Sequence, residues 1–81
     1  MKIYLSSPAG TMLLDALRSQ YKASILGAQA IVKVYTDSPV GVGEHPQHLE
    51  EIDKQIQIMV DNKDKLEMIE QTYKLKNNES G

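Results

Sequence analysis

Apolar residues recur at three- and four-residue steps through two long stretches of this chain, and one polar, proline- and glycine-bearing segment separates them. In the first stretch, residues 12–37, Leu14, Leu17, Tyr21, Ile25, Ala28, Ile31, Val32 and Tyr35 mark one face of a helix. At about 1.5 Å per residue such a helix runs roughly 39 Å. In the second, residues 47–75, Leu49, Ile52, Ile56, Met59, Val60, Leu66 and Tyr73 form the main stripe, with Ile58 and Ile69 off it. Ser7 before Pro8 is a helix-start signal, but Gly10 weakens it, so Thr11 competes as the cap. These signals divide the chain into an arm (1–11), a helix (12–37), a turn (38–46), a second helix (47–75) and a polar tail (76–81). Residues 2–5 within the arm are apolar and read as a β-like segment or a piece that docks on the helices.

The turn has local causes. Pro39 pushes Ser38 out of the helical region, and Gly41 and Gly43 accept positive φ. His45 then caps the second helix, and Pro46 sits where a missing N–H costs nothing. The predicted fold is all-α: an antiparallel two-helix hairpin with a short N-terminal arm. Closure about the turn places Tyr35 near Leu49, Val32 near Ile52, Ala28 near Ile56 and Leu17 near Leu66. It also sets Lys63 opposite Tyr21, where its stem packs while its head reaches water or Glu67. Lys63 and Glu70 are the alternative candidates for a polar pair that fixes register.

The first helix is apolar on more than one side. Ala16, Ala23, Gly27, Ala30 and Val34 fall on a second line, and a mid-helix glycine costs about 1 kcal/mol against alanine. That line is the expected interface with another copy, giving a four-helix bundle or a ring. An oligomer suits a chain this short, which lies near the lower limit for a self-sufficient core.

Charge and composition narrow the classes. Residues 1–40 carry +2, from Lys2, Arg18, Lys22 and Lys33 against Asp15 and Asp37, while residues 41–81 carry −4 from five lysines and nine acids. An acidic second half argues against general nucleic-acid binding, which needs clustered cations. There is no cysteine, hence no disulfide, thiolate metal site or thiol nucleophile. No apolar run approaches the roughly 18 residues of a membrane span, and residues 1–5 are too short for a signal peptide. The expected setting is soluble and cytoplasmic, or a virion.

Candidate chemistry is sparse. Gly41-Val42-Gly43 before a helix invites a phosphate-loop reading, but the sequence continues Glu44-His45-Pro46 rather than Gly-Lys-Ser/Thr, and a helix precedes it. Glu44, His45, His48 and Glu51 could be metal ligands, yet Pro46 interrupts their spacing, and no metal or cofactor is expected. The acids of the second helix, such as Asp53, Asp61, Asp64 and Glu67, fall on faces open to water, so no enzymatic activity is expected. Val40, Gly41, Val42, Gly43, Glu44 and His45 form the candidate recognition turn. Tyr4, Lys22 and Lys33 are the candidates for a small-molecule site between subunits, such as one that sequesters a nucleotide signal.

The stretch Pro39-Val40-Gly41-Val42-Gly43-Glu44-His45-Pro46, with Leu49-Glu50-Glu51-Ile52-Asp53-Lys54 and Lys63-Asp64-Lys65-Leu66-Glu67, resembles small helical-hairpin proteins encoded by tailed bacteriophages. The likeness covers roughly residues 28–70. It implies a phage setting and a non-enzymatic role as assembly factor, structural subunit or modulator of a host system, and it supplies no catalytic residues.

Overall fold

The computed structural model describes Ile3–Tyr4, residues 7–37 and residues 46–74. Its order is β1 (Ile3–Tyr4), α1 (Pro8–Asp37), α2 (Pro46–Thr72) and β2 (Tyr73–Lys74). The two helices pack on each other as an antiparallel hairpin, forming a rod of 54 × 20 × 19 Å. The expected hairpin is therefore the observed fold, with one addition at its end remote from the turn. There β1 and β2 pair in parallel, Ile3 with Tyr73 and Tyr4 with Lys74.

Helix α1 starts at Pro8, four residues before the expected start, because Ser7 caps it. The Ser7 Oγ accepts a hydrogen bond from the Gly10 N–H (3.3 Å), and the Ser7 carbonyl accepts from the Thr11 N–H (3.0 Å). Such a cap contributes about 1 kcal/mol, enough to offset the glycine in the first turn. Helix α2 starts at Pro46 and ends at Thr72, three residues short of the expected end. The next two residues are drawn into the ladder with β1 instead, so the apolar start of the chain acts as a strand.

Which residues line the seam follows from a strict alternation of three- and four-residue steps. On α1 the alternation runs through Leu14, Arg18, Tyr21, Ile25, Ala28, Val32 and Tyr35, with Gly10, Thr11, Asp15 and Ser24 half-buried outside it. On α2 the alternation runs through His48, Ile52, Gln55, Met59, Asn62, Leu66 and Ile69 and continues to Tyr73 of β2, with Glu51, Ile58 and Thr72 half-buried at its borders. The rings of Tyr35 and His48 meet with centroids 5.0 Å apart. One heptad further along each helix come Ala28 and Gln55, at 2% and 7% exposure. Two heptads further come Leu14 and Ile69, the latter 7% exposed.

This seam corrects the expected stripe on α2. Leu49 does not meet Tyr35: it is 74% exposed and His48 takes its place. Ile56 and Val60 also face outward, while Ile69, expected off the stripe, is buried. The expected stripe followed hydrophobic residues alone and drifted round the helix. The observed one keeps the 3.5-residue average and admits Gln55 and Asn62 at the cost of satisfying each. Gln55 Nε2 donates to Glu51 (2.9 Å), and Asn62 Nδ2 donates to the Ile58 carbonyl (2.7 Å). On α1, Leu17 and Ile31 are likewise exposed at the border of the seam rather than within it.

Lys63 is not the residue opposite Tyr21. Lys65 holds that place, its ammonium 5.6 Å from the ring centroid. Lys63 pairs along its own helix with Glu67 (2.7 Å) in the open, and that hydrogen bond raises its pKa. Replacing it removes only an exposed pair. Lys63→Leu is therefore expected to leave the urea midpoint unchanged; a clear drop would show a structural role for this lysine.

Candidate interaction surface

An antiparallel seam gives the hairpin two broad sides, and the side chains identify them. One side carries a charged network. Arg18 reaches across the helices to Glu70 (Nη2–Oε2 2.8 Å, Nε–Oε2 3.1 Å) and along its own helix to Asp15 (2.9 Å). The hydrogen bond to Glu70 raises the Arg18 pKa, against the opposing effect of its partial burial. The other side carries Tyr21 under Lys65.

A charged contact does link the two helices, but with residues other than those expected. Glu70 is engaged, but by Arg18 and not Lys63. Arg18 is absent from the stripe expected for α1. Its place in the seam was readable from the run Leu14, Arg18, Tyr21, Ile25, which holds the alternation only if the arginine is included.

On the side of Tyr21 and Lys65, α1 presents Leu13, Leu17, Ile31 and Val34, all exposed. Met12 and Leu26 extend apolar surface round its outer edge. The expected interface line, Ala16, Ala23, Gly27, Ala30 and Val34, is exposed along its whole length. A Cβ built on Gly27 would meet nothing within 4 Å. The close approach that glycine suggested is therefore not made to α2; the space beside it is open. Isolated exposed apolar residues are ordinary; here Leu13 and Leu17 lie toward one end of the row and Ile31 and Val34 toward the other, with Gln20, Ser24 and Gly27 between them.

The remaining candidates do not converge. Lys22 is exposed, and Lys33, also exposed, pairs with Asp37 (2.7 Å). Tyr4 enters through its backbone pairing with Lys74, at the opposite end of α1 from Lys33. The recognition turn, Val40 to His45, lies outside the described residues, as do Glu44 and His45 of the candidate metal set. Among the described residues no three of His, Cys, Asp and Glu stand close enough to hold a metal ion. No helix among them is long and apolar enough to cross a membrane. No protein-family model matches the chain, and neither a curated protein nor a solved structure matches it.

Proposed function

We propose that this protein is a non-enzymatic, homo-oligomeric helical module whose work is to bind other protein, the first partner being its own second copy. The observation that carries this reading is the uncovered apolar surface of α1, where Leu13, Leu17, Leu26, Ile31 and Val34 stay exposed after the hairpin has closed. A helix that buries one stripe against α2 and keeps a second has surface for another helix. Its likeness to small phage hairpins supports an assembly factor, a structural subunit or a modulator of a host system, acting in the host cytoplasm or in the virion. The turn 38–47 is the proposed recognition element for a further protein.

Gly27 provides the test. Because the space beside it is open within the chain, a larger side chain does not disturb the hairpin, and helix propensity favours the change by roughly 0.8 kcal/mol. Gly27→Leu is expected to lower the oligomer mass in sedimentation velocity while leaving the helical signal intact. Unchanged mass and stability would remove the small-residue line from the interface. Native mass spectrometry of the wild-type protein is expected to give a discrete oligomer without adducts. A bound mass of nucleotide size would instead support a small-molecule site between subunits.

A further inference from the structure

We infer that the second copy packs on the side of the hairpin that carries Tyr21 and Lys65, about a two-fold axis that passes beside Ser24 of α1 and Ile58 of α2. The inference rests on the homo-oligomer proposed above and specifies its face, direction and register.

The outer row on α1, exposed throughout except at half-buried Ser24, is self-complementary. Leu13, Leu17, Gln20, Ser24, Gly27, Ile31 and Val34 follow steps of four, three, four, three, four and three, a second seam beside the one that α2 covers. Turned end for end about Ser24, the row matches itself. Leu17 meets Ile31 of the second copy, and Leu13 meets its Val34. Gln20, the one long polar side chain in the row, meets Gly27, where the space is open. Ser24 meets Ser24 at the axis. Large residues lie toward both ends and small or polar ones in the middle, which is what an antiparallel pair with one close approach requires.

Helix α2 supplies an independent observation of charge. On the same side it presents Glu51, Lys54, Ile58, Asp61 and Lys65. The same rotation places Ile58 on Ile58, Glu51 on Lys65 and Lys54 on Asp61. Opposite charges face each other at every position, and one apolar residue sits at the centre. Among the described residues neither Lys54 nor Lys65 has an acidic partner within its own chain. The centres found separately on α1 and α2 lie at the same height along the rod to within about one residue, as the seven-residue steps from the Tyr35–His48 contact show. One axis therefore serves both helices. The opposite side, with its Asp15–Arg18–Glu70 network, has no such symmetry. A rod 54 Å long and 20 Å wide offers each copy on the order of 800 Å² on one face, the size class of stable dimers.

Two measurements on the full chain test this geometry. Packed helices stand about 8–10 Å apart with Cα atoms about 2.3 Å from each axis, so residues at a two-fold axis come within disulfide reach. Ser24→Cys is expected to cross-link two copies under mild oxidation, in a protein with no other cysteine. Gln20→Cys, whose two copies stand roughly 12 Å apart along the axis, is not. In sedimentation equilibrium, Lys54→Glu and Asp61→Lys alone are each expected to raise the dimer Kd about tenfold or more, and the two together to restore it. If the wild-type chain self-associates but Ser24→Cys does not cross-link, or the single charge reversals leave Kd unchanged, the geometry is overturned and homo-oligomerisation survives. If the wild-type chain stays monomeric at every concentration, both are overturned.

Discussion

Ile69→Ala is expected to lower the unfolding free energy by about 3 kcal/mol, read as a fall in the urea midpoint at unchanged slope. Ile69 is one of the two buried apolar residues among those described, and it lies in the layer of Leu14 beside the β1–β2 pair. Removing three carbons there leaves a void that the surroundings fill poorly, because the adjoining backbone is held by the ladder as well as by the helix. Domains of this size carry on the order of 5–10 kcal/mol in all, so the variant loses a large share of its stability. Val60→Ala is the internal comparison: Val60 is half-exposed, and its truncation should cost no more than about 0.5 kcal/mol. Equal midpoints for the two variants would mean that the seam does not run through Ile69.

Ala28→Leu is expected to destabilise by about 1–3 kcal/mol although it adds hydrophobic surface. Ala28 is the most buried of the described residues, at 2% exposure, and the seven-residue step from the Tyr35–His48 contact puts it level with buried Gln55. The two are matched: the small residue on α1 makes room for the amide on α2, whose nitrogen is satisfied by Glu51 at 2.9 Å. A leucine in that layer pushes the helices apart or expels Gln55, breaking the Gln55–Glu51 bond. Combining Ala28→Leu with Gln55→Ala should recover much of the loss, and the coupling between the two is the number to measure. Additive effects, with no recovery in the double variant, would show that the two side chains do not share a layer.

The hairpin was legible because its signals are local. Pro39 and the turn glycines interrupt one periodic stretch, Pro46 starts the next, and Ser7-Pro8 was already visible as a start. The face of α2 was not. Counting only hydrophobic residues selected Leu49, Ile56 and Val60, whereas the seam keeps a regular step through His48, Gln55 and Asn62. A satisfied amide is tolerated inside a narrow two-helix seam, and an exposed leucine is tolerated outside it, so hydrophobicity by itself could not decide between adjacent faces. Arg18 was missed for a related reason. Its partner Glu70 lies 52 residues away, and no local pattern announces a pair at that distance. The surface of α1 was partly legible: the line of Ala16, Ala23, Gly27 and Ala30 was seen, but the neighbouring row of Leu17 and Ile31 had been assigned to the core.

Two helices joined at one end would ordinarily loosen from the other, each fraying turn by turn without reference to its neighbour. Here the far end is tied twice, by the pairing of Ile3 with Tyr73 and by the bridge from Arg18 to Glu70. The molecule is in effect a closed loop, in which the last turn of α2 cannot open without releasing the strand that leads into α1. Opening at that end is expected to be a shared event, with amide exchange at the two helix ends rising together rather than independently.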